Sequence, residues 1–274
     1  MTSESQTDSL DLKSAENVPP PGLVENSEFA TPENPVLAPR PWGPGATIGW
    51  TLLCIVVMFA AQIFGLVIFV VFRIATTTSP KFDDLLTSGN VIALATLLST
   101  SAAVGLIAVL IRIRRYPIRD YLVLYWPTPR SVMISLAGLA VLLGATDLSS
   151  YLLGRPLVPT VMVDIYRASW LPALLFALVV LAPIGEEILF RGFLYMGIAA
   201  SRAGPIVAIL VSSVAFALLH VQYDWHGIVA VLATGLYLGV VRSRSQSLLL
   251  TMLLHAVGNA FATLEIVVLE HWLK

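Results

Sequence analysis

Seven apolar stretches, at about residues 47–72, 91–111, 131–153, 170–200, 205–221, 226–241 and 247–269, make up most of this chain. Most are close to the roughly 20 residues that a helix needs to cross a ~30 Å hydrocarbon layer. In lipid, each backbone N–H and C=O must find its partner within the protein, and only helices and closed barrels achieve this. Barrel strands are short and alternate apolar with polar residues. These runs are longer and continuously apolar, so the predicted fold class is all-α, a polytopic transmembrane bundle of about seven helices. Composition agrees: 57% of residues are hydrophobic, 12% are charged, and mean hydropathy is +0.84. Soluble domains carry about a quarter charged residues.

Residues 1–46 read differently. They lack an early apolar stretch, which argues against a signal peptide, and hold seven acidic residues from Glu4 to Glu33 among prolines such as Pro19, Pro20 and Pro21. A disordered acidic tail is expected, followed by N-terminal transmembrane helices over 47–165 and a core over 166–274. Basic residues gather as Arg112, Arg114, Arg115, Arg119 and Arg130, then as Arg202, Arg242 and Arg244. By the positive-inside rule those loops and the tail face the cytoplasm, which predicts a multi-pass protein of the plasma (inner) membrane with its C-terminus outside. Segment 170–200 is long for one span and holds Pro172, Pro183, Gly185, Gly192 and Gly197. A crossing helix followed by a bent or surface-lying piece is expected there. The net charge of −1 argues against a nucleic-acid partner, and the single Cys54 can form neither an internal disulfide nor a cysteine metal cluster.

An ionisable group at membrane depth costs about 2.5 to 3.5 kcal/mol even on the milder insertion scale, so such groups direct attention to function. They concentrate in three places. In Gly185-Glu186-Glu187-Ile188-Leu189-Phe190-Arg191, Glu187 and Arg191 are four apart and share a helix face, where they can pair. Glu186 is rotated by about 100° and lacks that partner, as a general base would. The plain alternative is a structural Glu–Arg lock. The second place is Phe216-Ala217-Leu218-Leu219-His220, where a lone histidine is more often a packing residue. The third is His255-Ala256-Val257-Gly258-Asn259, where His and Asn sit one turn apart. They could hold a developing oxyanion, the His could bind a metal, or the pair could be interhelical polar glue.

Asp147, with Ser149 and Ser150, reads most simply as helix-end or hydrogen-bonding residues, and His226 and His271 as interfacial ones. Trp50, Trp126, Trp170, Trp225 and Trp272 flank the segments as headgroup anchors. Gly235 and Gly239 permit close helix approach. Neither a His-Glu-x-x-His string nor a Gly-x-Ser-x-Gly elbow occurs.

Taken together, Glu-Glu-x-x-x-Arg at 186–191, Phe-x-x-x-His at 216–220 and His-x-x-x-Asn at 255–259 resemble the CAAX prenyl protease and bacteriocin-processing (CPBP, or Abi) family of intramembrane proteases. The resemblance covers about residues 170–270. It implies that Glu186, with His220, polarises a water, that His255 and Asn259 stabilise the oxyanion, that Glu187 and Arg191 hold the geometry, and that Phe216 packs beside His220. It implies an intramembrane endopeptidase acting on a membrane-associated substrate, either a prenylated CAAX-type C-terminus or a precursor peptide. Zinc is compatible with Glu186, His220 and His255, and the same groups could activate water without it. Two other classes stand beside this reading: a non-catalytic membrane scaffold that recruits a partner, and, with less support, a small-solute transporter. One difficulty is that Glu186 and His220 end oppositely directed segments, so simple length counting puts them at different depths.

Overall fold

The computed structural model describes residues 42–76, 88–167 and 169–272. The expected tail lies outside this range apart from its last residues, where helix α1, Pro44–Thr76, already begins. Among the described residues every regular element is helical. After α1 come α2 (Gly89–Ile113), the short α3 (Ile118–Leu122), α4 (Pro129–Leu152), the short α5 (Thr160–Arg167), α6 (Leu171–Ala199), α7 (Gly204–Leu218), α8 (Trp225–Ser245) and α9 (Leu248–Trp272). Six of these, α1, α2, α4, α6, α8 and α9, are long and apolar enough to cross a membrane, and α7 is a shorter apolar helix. The chain is thus an all-α, multi-pass membrane protein.

Local chemistry sets several helix starts. Ser88 accepts from the Asn90 N–H ahead of α2, Thr128 accepts from Ser131 ahead of α4, and Asp224 accepts from Gly227 ahead of α8. Each satisfies one of the backbone donors that a helix N-terminus leaves open. Gly204 joins α6 to α7 at φ +72°, a left-handed conformation that a side chain disfavours.

Helix α6 runs through the centre of the bundle. It packs on α1 and α2 on one side and on α7 and α9 on the other, and from Glu187 to Ile198 every residue is buried. The expected surface-lying piece is therefore absent: 171–199 is one helical run whose second part, 187–198, is buried. Its length is accommodated by two π-helical turns, Ala177–Leu181 and Ile188–Leu194. The first has a readable cause. Ala182 donates to Ala177 O, five residues back, so Leu178 O would next accept from residue 183, and Pro183 has no N–H. The glycines of α6 mark close approaches. A Cβ on Gly197 would lie 2.2 Å from Thr47 Oγ1 of α1, and one on Gly185 would lie 2.9 Å from Thr100 Oγ1 of α2.

Helices α7 and α8 pack through Gly235 and Gly239 as expected, where added Cβ atoms would meet Ser213 Cβ at 3.2 Å and Ile209 Cγ2 at 2.9 Å. Trp126, Trp170 and Trp225 are exposed, in keeping with headgroup anchoring.

Candidate active site

Glu187 and Arg191 form a buried pair on α6. Arg191 Nη1 donates to Glu187 Oε1 at 3.0 Å, both side chains are 0% exposed, and Arg191 Nη2 donates to Gly235 O of α8 at 3.1 Å. The same Glu187 oxygen is 3.0 Å from His255 Nδ1 of α9. A carboxylate paired with a guanidinium only accepts, so Nδ1 carries the hydrogen and donates. That choice fixes the tautomer and turns Nε2 of neutral His255 into an acceptor.

His255 Nε2 lies 3.6 Å from Glu186 Oε2. Glu186 differs from its neighbour in being 25% exposed, where Glu187 is sealed. One imidazole therefore bridges the two adjacent carboxylates: Nδ1 to the locked one, Nε2 toward the accessible one.

His220 follows the end of α7. Its Nδ1 is 2.9 Å from Phe216 O, and because a carbonyl only accepts, Nδ1 donates and Nε2 is the free nitrogen. The Phe216 ring packs against both imidazoles, 4.6 Å from His220 and 5.6 Å from His255 by ring centroids, with the Arg191 guanidinium 4.6 Å over the same ring. Helix α7 is short, its 15 residues rising only ~22 Å at about 1.5 Å per residue, and its end is tied to α9 through Phe216, which packs on both His220 and His255.

Asn259 has a backbone partner as well as a place in the cavity lining. Its Nδ2 donates to Leu178 O at 2.8 Å, the carbonyl that Pro183 leaves without a partner. One amide hydrogen is thus committed to holding the first π turn. The second hydrogen and Oδ1 are not used there, and Asn259 lines the adjoining cavity. Phe216, His220, His255 and Asn259 all border this cavity of about 510 Å³, which reaches outward between α4, α8 and α9.

Among the described residues no three His, Cys, Asp or Glu side chains converge closely enough to hold a metal ion. Glu186 and His255 face each other as two potential ligands. The described residues do not fit the three-ligand zinc site expected of catalysis.

Two further residues belong to this neighbourhood. Arg242, read from the sequence as a loop cation, is 0% exposed: its Nε donates to Arg191 O at 3.2 Å and its Nη2 to Met196 Sδ at 2.9 Å. It grips the second π turn at the residue that holds Glu187. Tyr223 stacks on His220 at 6.0 Å with a 15° interplanar angle and lines the cavity. Burial first, and then the Glu186 charge, raise its phenol above the ordinary value, so it persists as an O–H donor. The only sequence signal for Tyr223 was its position three residues after His220.

Comparison with known proteins covers this same segment. Residues 168–261 match the model of a family described as type II CAAX prenyl endopeptidase Rce1-like. Over 95 residues the chain is 28% identical to UPF0177 protein YxdF of Lactococcus lactis subsp. lactis (strain IL1403), an alignment covering 35% of this chain. The chain spans about half, 51%, of the length of that curated relative. No solved structure matches significantly. The residues Glu186, Glu187, Arg191, Phe216, His220, His255 and Asn259 all lie within the segment that is similar to the Rce1-like type II CAAX prenyl endopeptidase family.

Proposed function

We propose that this protein is an intramembrane endopeptidase that hydrolyses a peptide bond of a membrane-associated substrate. The observation that carries the reading is the accessible Glu186 carboxylate beside His255 Nε2, next to a cavity bordered by His220, in a bundle otherwise built of apolar helices. Such a cavity admits the water that hydrolysis needs and lipid excludes.

In the step proposed, Glu186 takes a proton from water as the water oxygen bonds to the scissile carbonyl carbon. The electron pair of the C=O bond moves to oxygen. The uncommitted Asn259 N–H and the Tyr223 hydroxyl are the cavity-lining donors available to the forming oxyanion, while Nε2 of neutral His255 and of His220 accept hydrogen bonds and so help to orient the attacking water. Glu186 then returns its proton to the leaving nitrogen as the C–N bond breaks. Glu187 and Arg191 keep His255 in its tautomer and touch no substrate. A prenylated C-terminus and an unmodified precursor peptide are both substrates compatible with a cavity of this size.

The test is incubation of purified protein in nanodiscs with prenylated and unmodified peptides, with and without a chelator, alongside Glu186→Gln. Cleavage by the unsubstituted protein, lowered by at least about a hundredfold in the variant with its melting temperature retained, is the expected result. Chelation leaves the rate unchanged if two ligands are all the site offers. Loss of folding in Glu186→Gln with no cleavage by either form would favour the scaffold instead.

A further inference from the structure

The cavity that borders His220 and His255 continues to a second set of polar groups: Asp147 and Ser150 of α4 and Glu265 of α9 all line it. Glu265 lies ten residues beyond His255 on the same helix, ~15 Å at about 1.5 Å per residue. Asp147 and Ser150 are three apart, on one face of α4. The two carboxylates thus border one cavity from two different helices. Among the described residues neither has a hydrogen-bond or ion-pair partner. Ser150 is 5% exposed and its hydroxyl likewise lacks a partner while it faces this cavity.

The basic groups around the cavity are already committed. Arg155 pairs with Asp224 and stacks over Trp225 at 4.7 Å. His226 Nε2 bonds Ser149 Oγ at 3.0 Å, His220 is tied to Phe216 O and His255 to Glu187. Among the described residues that line the cavity, no cation is left to balance two carboxylates at membrane depth, where each is costly. A cation brought by the substrate would balance them, and a buried hydroxyl accepts readily from an ammonium or guanidinium donor.

We propose that Asp147, Ser150 and Glu265 form a specificity subsite that takes a lysine or arginine side chain of the peptide substrate. An extended peptide advances about 3.4 Å per residue, so this subsite would hold a residue four or five positions from the bond at Glu186. The proposal rests on the peptidase reading for its purpose, and on the cavity alone for its geometry.

Binding tests it without catalysis. Full-length Glu186→Gln protein in nanodiscs is titrated with three fluorescent apolar peptides that differ at one scanned position, carrying lysine, norleucine or glutamate. The lysine peptide is expected to bind about tenfold tighter than the norleucine peptide at the best position, with glutamate weakest. In that background Asp147→Asn and Glu265→Gln each bring the lysine-to-norleucine ratio toward one. Glu265→Lys moves the preference to the glutamate peptide, a gain that misfolding cannot produce. Equal binding of the lysine and norleucine peptides, binding of none of them, or a lysine preference untouched by Asp147→Asn and Glu265→Gln overturns the subsite. Cleavage by the unsubstituted protein is read separately: a preserved lysine preference without any cleavage would sink the peptidase and leave the subsite standing.

Discussion

Two adjacent glutamates have opposite surroundings here, and the difference comes from one helical step. Glu187 faces inward to Arg191 and His255, while Glu186, about 100° around the helix, keeps 25% of its side-chain surface open. Because Glu187 and Arg191 are both fully sealed, removing one leaves the other as an uncompensated charge. Arg191→Met is therefore expected to destabilise the protein by about 3 to 5 kcal/mol, read by denaturant titration in detergent. Glu187→Gln keeps the shape but no longer demands Nδ1–H of His255, so its signature is a larger loss in kcat than in KM. The pairing of 187 with 191 was legible from spacing alone. Arg242 was not, because its apparent position in a basic helix end gave no sign that α8 turns it inward onto the second π turn. Arg242→Met, which removes donors to Arg191 O and Met196 Sδ, is expected to cost about 1 to 3 kcal/mol and to lower kcat with little change in KM. A stability loss without any kinetic change would mean that Arg242 packs the bundle and does not position the site.

At the scale of elements, α6 shows how a helix breaker can be used without breaking the helix. Pro183 removes an N–H, the turn before it widens, and Asn259 from α9 supplies the donor that Leu178 O lacks. This predicts coupling in a double-mutant cycle. Asn259→Ala costs about 1 to 3 kcal/mol in the natural background and less in Pro183→Ala, where the chain regains its own donor. Additive costs would show that the two are independent. The tight seat of α6 on α1 gives a second expectation: Gly197→Ala forces a Cβ to within 2.2 Å of Thr47 Oγ1 and 2.7 Å of Thr47 Cβ, a clash worth about 1 to 3 kcal/mol that Thr47→Gly relieves. The start of α8 carries a pH dependence. The Gly227 N–H, and then Arg155, hold the Asp224 carboxyl below its ordinary value. Its contribution is therefore complete above the ordinary carboxylate value of about 4 and is lost as pH falls through the lowered one. Limited proteolysis in the 219–224 loop should rise over that acidic range in the natural protein and show a flatter profile in Asp224→Asn.

For the molecule as a whole, α1 is, with α4, one of the two most weakly enclosed spans among the described residues, with large apolar side chains such as Phe64 and Phe72 outward, yet its Cys54 is 0% exposed against the core cluster that includes Ile107 and Phe193. A membrane-permeant maleimide should label Cys54 slowly in the native protein and at least about tenfold faster when denaturant detaches α1, since labelling needs local opening. Rapid native labelling would mean that α1 does not stay docked. The bundle and its site are coupled through these contacts, because α1, α2, α7 and α9 all press on α6, which carries both glutamates.

The apolar runs determined the all-α membrane bundle and nearly all of its helix boundaries, since lipid leaves the backbone no other way to satisfy itself. The motifs likewise marked Glu186, Glu187, Arg191, Phe216, His220, His255 and Asn259 as one group. Periodicity, however, says which residues share a face and nothing about what that face meets. Only the tertiary structure decided that the second part of α6, 187–198, is buried, that Phe216 packs against both His220 and His255, that Asn259 serves a backbone carbonyl as well as the cavity, and that Arg242 lies inside. Each of these depends on where a second helix lies, and that position is set by packing between segments far apart in the chain.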